Sequence, residues 1–327
     1  MSSADPLFLL AALVGIAASV YWSKTGMTRK AAEGFIGGFG SIAAPISAMP
    51  PLWFVIDDYG TNSRKWADFG ARNSRSTNIG FINITKTRCA ITQGGYFEVH
   101  ELLGRAAVAE IIYARRGYVP KDHLAVPPKI WRSWARAALL SVGGGLYLDG
   151  LSLCVGPSFQ TVIGGKDAAV FGIDHDEKQN RGVGGPYAGW AQVPQNRGWV
   201  AMATAVAQLI DSGAQSWSAA IARNQIAIWH NKHLEPNMPT IGSAEWSRRQ
   251  DGRAIEIDDL LGRSPSADWA PPNGTVYVPL DLENLERSVT YKWFMRMSSE
   301  QIMEPDSHFI WAGLAKGAGS RDNLFTW

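Results

Sequence analysis

The residues with the clearest chemical potential lie in one run, Arg136-Ala-Ala-Leu-Leu-Ser-Val-Gly-Gly-Gly-Leu-Tyr-Leu-Asp149. Its first part has the composition of a helix, and the glycines at 143 to 145 end that helix and allow close backbone approach. Leu146 to Leu148 then favour a short strand. Asp149 comes directly after it, and the carboxyl ends of strands are where open α/β sheets bind ligands. The pattern therefore predicts a carboxylate at a ligand-binding edge, supported by the arginine of the preceding helix.

This run resembles the pattern R-x3-L-x3-G-G-x-Y-x-D-x-D of the DXD glycosyltransferases of the capsular-polysaccharide and mannosyl-transferring type, which have the GT-A fold. The resemblance covers about residues 130 to 160. It implies a nucleotide-sugar donor site with Asp149 as catalytic residue near the ribose or a metal. It also implies that the donor is contacted by residues of this helix and turn and by residues of an opening strand that begins at residue 52. The implied donor-binding residues are Arg136, Gly144, Gly145, Tyr147, Asp149, Trp53 and Asp57.

The chain departs from that pattern at two acids. Leu151 occupies the position of the second, metal-binding Asp, and Ser133 occupies the position of an Asp three residues before the arginine. Mg²⁺ or Mn²⁺ requires several oxygen ligands, so Asp149 alone makes an incomplete site. By analogy with transferases that return a C-terminal side chain to the donor site, His308 is a second candidate metal ligand. Either the diphosphate is handled differently, or the fold persists without the chemistry.

Further candidate ligands lie outside this run. Arg64, Arg72 and Arg75 are predicted either to bind a diphosphate or to lie on a solvated helix face. The run Asp174-His-Asp-Glu177 is dense in metal-ligating types, but no more than two of its side chains could converge without a turn, and a loop is the favoured interpretation over a metal site. Cys89 and Cys154 are the only cysteines, each in an apolar context, so no disulfide framework or cysteine metal site is indicated and a reducing compartment is favoured.

The surrounding elements predict an α/β fold with a mixed, GT-A-like sheet flanked by helices. Strands are expected at 52–56, 79–84 and 97–99, and helices at about 62–75, 101–116, 199–212 and 217–230. Strands that alternate with helices at this spacing favour a sheet with parallel members.

The N-terminus predicts a membrane anchor. Residues 6–22 carry no charge, end in Tyr21 and Trp22, and are followed by Lys24, Arg29 and Lys30. We expect residues 1–30 to form a single transmembrane helix, 31–50 a Gly/Pro-rich linker and 51–327 the globular domain, on the cytoplasmic or interior side. A cleaved signal peptide or a buried core helix are the alternatives.

Composition narrows the function classes. The net charge of +2 and the absence of a basic stripe argue against nucleic-acid binding, and the 14 tryptophans suit sugar stacking or protein packing equally. The sequence thus predicts a membrane-anchored glycosyltransferase-like protein that transfers a sugar from a nucleotide-sugar donor. A divalent metal, Mn²⁺ or Mg²⁺, is the candidate cofactor, although the two missing acids argue against it. The alternative is a catalytically inactive relative that acts as a structural or interaction protein in a membrane-associated assembly such as a virion.

Overall fold

The computed structural model describes residues 49–57, 79–171, 188–222, 225, 229, 257–262, 275–280, 285, 288–304 and 310–315. By its contacts the chain divides between Ala48 and Met49, and all described residues belong to the second unit. The predicted anchor at 6–22, the linker to residue 48 and the helix at 62–75 lie outside the described residues. None of the helices in the described part combines the length and the apolar character that crossing a membrane requires.

A five-stranded mixed sheet forms the centre of the described domain, as the fold prediction required. Its order is β2-β1-β3-β6-β5, with β1 parallel to both β2 and β3 and with β6 antiparallel to both β3 and β5. A separate antiparallel pair is formed by β4 and β7. The strands are β1 Pro51–Ile56, β2 Glu98–Leu103, β3 Gly145–Asp149, β4 Ser152–Cys154, β5 Ala168–Phe171, β6 Ala188–Ala191 and β7 Tyr277–Pro279.

Helices pack on both faces of this sheet. They are α1 Gly80–Gln93, α2 Gly104–Arg116, α3 Pro128–Gly143, α4 Phe159–Ile163, α5 Arg197–Asp211, α6 Ala214–Ala222, α7 Ile257–Leu261, α8 Ser299–Ile302 and α9 Ile310–Ala315, with a 3-10 helix at Lys292–Arg296. Helices α2, α3, α5 and α6 contribute to one apolar core, here called the α3 face. Helix α1, the β4–β7 pair and the C-terminal helices contribute to the other, here called the α1 face.

Side-chain alternation in β1 connects the two cores. Leu52, Phe54 and Ile56 point to the α1 face, whereas Trp53 and Val55 point to the α3 face. This is the period of two that a strand imposes, and a strand buried on both faces is a nearly continuous apolar run. The prediction of a first buried strand at 52–56 is confirmed.

One predicted element is wrong. The run from Ile79 to Ile84 was expected to be a strand, but α1 begins at Gly80 and continues to Gln93. Its buried residues include Phe81, Ile84, Thr85 and Cys89, which recur at three- and four-residue spacing. That period becomes visible only beyond residue 84, where Lys86, Thr87 and Arg88 interrupt the apolar run, so the short segment by itself resembled a strand.

The helix-turn-strand unit predicted around the glycines is present. Helix α3 starts with Pro128 at its first turn, where a missing N–H costs nothing, and ends at Gly143. Gly144 and Gly145 both have positive φ, 63° and 80°, before β3 continues to Asp149. A side chain at 145 would also collide with the backbone oxygen of Pro51 on the neighbouring β1. The turn therefore needs glycine for both conformation and space.

We expect Gly145→Ala to abolish folding or to lower the free energy of unfolding by more than about 4 kcal/mol, because backbone strain adds to a collision with β1. Gly165→Ala is the matched control, since Gly165 has φ of 77° with open space around its Cβ position. There only the strain applies, about 1–2 kcal/mol. Urea unfolding followed by circular dichroism measures both. Equal losses in the two variants would contradict the packing argument.

Candidate functional site

Two carboxylates lie at the carboxyl ends of adjacent parallel strands. Asp149 is the last residue of β3 and pairs in register with Val55, while Asp57 directly follows β1. By strand alternation both side chains point to the α3 face, and each is only 4% exposed. The helix that follows β1 in the described chain, α1, packs on one face, and α2, which follows β2, packs on the other. A change of face of this kind marks the usual ligand crevice of α/β sheets.

Arg105, at the start of α2, binds Asp57 in a bidentate ion pair. Its Nε donates to Oδ1 at 2.7 Å and its Nη2 to Oδ2 at 3.3 Å. Its Nη1 donates to the carbonyl oxygens of Val126 at 2.6 Å and Leu124 at 3.1 Å, and the guanidinium lies 5.1 Å from the ring centre of Trp131. Arg105 therefore holds the end of β1, the start of α2 and the segment before α3 together. We call this set of contacts the Arg105 clamp.

Breaking the Arg105 clamp should cost about 3–5 kcal/mol of unfolding free energy, because removing one partner leaves the other charge buried without it. We expect this for Asp57→Asn and for Arg105→Met singly, and a smaller loss for the double variant than the two single losses added. Lys86→Ala is the control, since the Lys86–Glu101 pair is largely exposed and is worth less than about 1 kcal/mol. Additive losses in urea unfolding would show that the two residues act independently.

Asp149 is held by contacts from its own turn and from α3. Its Oδ1 accepts the backbone N–H of Leu151 at 3.0 Å, and its Oδ2 lies 3.8 Å from Nε of Arg132. Burial raises the pKa of the Asp149 carboxyl above its ordinary value, and the nearby Arg132 opposes that rise. The Arg132 side chain is 17% exposed, which makes it more accessible than the carboxylate it faces.

Arg136 and Tyr147 lie on the buried side of Asp149. We call Arg105, Arg132, Arg136, Asp57 and Asp149 the charged group. The Arg136 guanidinium lies 5.9 Å from the Tyr147 ring centre, and burial lowers the pKa of Arg136 to about 10. Burial, with the neighbouring Asp149, raises the pKa of Tyr147. The Tyr147 hydroxyl is buried and makes no hydrogen bond among the described residues. Counted over Arg105, Arg132, Arg136, Asp57 and Asp149, the group carries one more positive than negative charge.

The two positions where the sequence departs from the DXD pattern are occupied by side chains with structural contacts of their own. Leu151 is fully buried in the α1-face core, on the opposite side of the sheet from Asp149. Ser133 is buried, and its hydroxyl donates to the carbonyl oxygen of Lys129 within α3. No group of three His, Cys, Asp or Glu side chains suited to a metal occurs among the described residues. The described donor set at Asp149 therefore does not fit a divalent cation.

Several predicted ligands cannot be placed. His308, the second metal candidate, lies outside the described residues. So do Asp174 to Glu177 and the three arginines at 64, 72 and 75.

Restoring the second acid of the pattern should not restore a metal site. We expect Leu151→Asp to lower stability more than Leu151→Ala, itself worth about 2–5 kcal/mol, because it places a carboxylate in an apolar core. Calorimetric titration with Mn²⁺ should show no gain of binding over the original protein. A folded Leu151→Asp variant that binds Mn²⁺ tightly, and loses it on Asp149→Asn, would overturn this assignment.

Gly144 and Gly145, two further predicted donor residues, lie at the other end of β3. Four strand steps of about 3.3 Å separate Gly145 from Asp149 by about 13 Å. The Trp53 side chain reaches that end, since its Nε1 donates to the carbonyl oxygen of Gly144 at 2.8 Å and its ring stacks on His100. The backbone of Trp53, however, pairs in register with Tyr147 on the neighbouring strand. The structure thus brings Asp57, Arg136, Tyr147 and Asp149 together, leaves Gly144 and Gly145 at the far end of β3, and places Trp53 between the two.

Arg105 and Arg132 were not among the predicted site residues. Arg132 had a readable signal, because it precedes Arg136 by one helical turn and so shares its face. Arg105 had only its place just after a strand, which many surface arginines share. Its burial depends on contacts with Asp57 and with residues 124–126, which sequence spacing does not reveal.

No family model, no curated protein and no solved structure matches this chain. The glycosyltransferase resemblance therefore depends on the residues from 130 to 160 alone. A fold class by itself does not imply an activity, so function has to be argued from the chemistry of the charged group at β1 and β3.

Proposed function

We propose that the domain binds a nucleotide sugar at the carboxyl ends of β1 and β3 and transfers its sugar. One observation carries the proposal: Asp149, Arg132, Arg136 and the Arg105 clamp meet at the ends of adjacent parallel strands. A buried carboxylate suits hydrogen bonding to a ribose or sugar hydroxyl. A local excess of positive charge suits a diphosphate. The glycosyltransferase resemblance of residues 130 to 160 points to the same ligand class and to a GT-A-like fold.

In this proposal arginine replaces the divalent metal of the DXD enzymes. Arg132, with 17% of its side chain exposed, is the most accessible member of the group and would receive the diphosphate, while the fully buried Arg136, one turn further along α3, would add positive charge. Guanidinium binds phosphate oxygens in bidentate geometry and keeps its charge when buried. Transfer of the sugar leaves negative charge on the departing diphosphate, and fixed positive groups beside it lower that barrier. The Tyr147 hydroxyl, buried beside Asp149, is a further donor for the same anion.

Membrane attachment is part of the same proposal. The uncharged residues 6–22 would hold the domain at a membrane, on the cytoplasmic or interior side as the following basic residues indicate. A membrane-bound sugar acceptor would then lie close to the domain.

A second candidate function is a scaffold that keeps this fold without catalysis and contacts protein partners at a membrane. One observation favours it: both carboxylate oxygens of Asp149 already face groups of the protein, the Leu151 N–H and Arg132. The 4% exposure of Asp149 points the same way. In this reading the charged group stabilises the strand ends, and a nucleotide has no role.

Binding of UDP and GDP in the presence of EDTA separates the two candidates. We expect calorimetry to detect binding without added metal, and Arg132→Ala to weaken it by roughly tenfold or more because a charge-assisted contact to phosphate is lost. Arg132→Lys should recover only part of that affinity, since lysine has no bidentate geometry.

Arg197→Ala is the matched control for this measurement. Arg197 is exposed at the start of α5, six residues after Ala191, which pairs with Gly145 at the other end of β3, and its loss should leave the affinity unchanged. Equal weakening in both variants would indicate nonspecific charge attraction. No binding of either nucleotide by the folded protein, with or without Mn²⁺, would reject the transferase and favour the scaffold.

A further inference from the structure

The two cysteines of the chain meet in the α1-face core. Cys89 lies on α1 and Cys154 is the last residue of β4, and both are fully buried. Both belong to the same cluster of packed side chains, and an interaction between the two thiols together with burial raises the pKa of Cys89. The sequence, which places them roughly 65 residues apart in separate apolar contexts, did not indicate this pairing.

Two further contacts fasten the backbones that carry these thiols. The Arg88 side chain donates from Nε to the carbonyl oxygen of Cys154 at 3.4 Å. One turn earlier, the hydroxyl of Thr85 donates a hydrogen bond to the carbonyl oxygen of Gly150 at 2.6 Å. Helix α1 is thus held to Cys154 itself and to the β3–β4 connection just before it. A disulfide requires its two cysteines on neighbouring backbones, and the packing of α1 against β4 meets that requirement for Cys89 and Cys154.

We propose that Cys89 and Cys154 form an intramolecular disulfide when the chain folds in contact with a low-molecular-weight disulfide such as oxidised glutathione. No third cysteine competes for either partner, since the chain contains only these two. This assignment is independent of the proposed transferase activity.

The chemistry is two successive thiol–disulfide exchanges. One cysteine loses its proton to solvent, and its thiolate attacks the small disulfide, forming a mixed disulfide and releasing one small thiolate, which takes up a proton. The second cysteine thiolate then attacks the protein sulfur of that mixed disulfide and releases the second small thiol. Two protein thiols are oxidised by two electrons and one small disulfide is reduced to two thiols.

Burial decides when this exchange takes place. A buried thiol with a raised pKa supplies little thiolate and no access for a reagent, so the folded dithiol reacts slowly. Exchange is fast while the chain is still open, and the completed bond is then protected by the same core. The bond closes a loop that contains β3 and Asp149, and it fixes α1 to the connection that follows Asp149.

The test refolds the full chain from denaturant with either reduced or oxidised glutathione. After oxidative refolding we expect no free thiol when the protein is denatured and titrated with a thiol reagent. Mass spectrometry of the unreduced digest should find one peptide linking Cys89 to Cys154. The melting temperature should rise by roughly 10 °C over the reduced form, because the cross-link restricts the unfolded chain.

Cys89→Ala and Cys154→Ala serve as controls. Each should lose the linked peptide, and its melting temperature should be the same in the two buffers. The comparison of reduced and oxidised original protein needs no variant, so it remains decisive if either variant fails to fold. Two free thiols, glutathione adducts on both cysteines, linkage only between chains, or failure to fold under oxidation would each overturn the proposal.

Discussion

Buried charge at the ends of β1 and β3 is the constraint on which the surrounding structure depends. A carboxylate or a guanidinium removed from water is expensive unless it is paired and hydrogen-bonded. The fold meets that requirement for Asp57 with one arginine that also occupies carbonyl oxygens of the segment before α3. As a result the positions of β1, α2 and the start of α3 are coupled, because a shift of any of them would break the Arg105 clamp.

The end of β3 meets the same requirement for a buried charge. Asp149 receives a backbone N–H from its own turn. That turn is held from the other face by Thr85 of α1 and within the sheet by the N–H of Gly150, which donates to the carbonyl oxygen of Val55 on β1. The charged side of the turn and its apolar side are therefore built from different layers. This explains why Leu151 belongs to the α1-face core although it lies only two residues from Asp149. A metal ligand at 151 would require a different path for the chain, and a single substitution does not provide one.

The glycines at 143 to 145 serve the fold more directly than they serve a ligand. They return the chain from α3 into β3 against the backbone of Pro51 and the ring of Trp53. In the DXD resemblance the glycines and the acid belong to one motif, and in this chain they lie at opposite ends of one strand. The tertiary structure therefore gives the two parts of this contiguous motif different roles: the glycines pack against β1, and the acid belongs to the charged group.

The local elements were determined by the sequence itself. The buried first strand, the Pro-initiated helix ended by glycine, and the short strand leading to Asp149 all follow from propensity, turn chemistry and periodicity, which act over a few residues. The helix that begins at Gly80 is the exception, because residues 79–84 alone favour a strand and the helical period shows only when residues beyond 84 are included. The pairing of Arg105 with Asp57, the meeting of Cys89 and Cys154 and the assignment of Leu151 to the opposite core were decided only by the tertiary structure. Each depends on packing between layers whose residues are tens of positions apart in the sequence. The spacing of residues along the chain does not reveal which layers pack together.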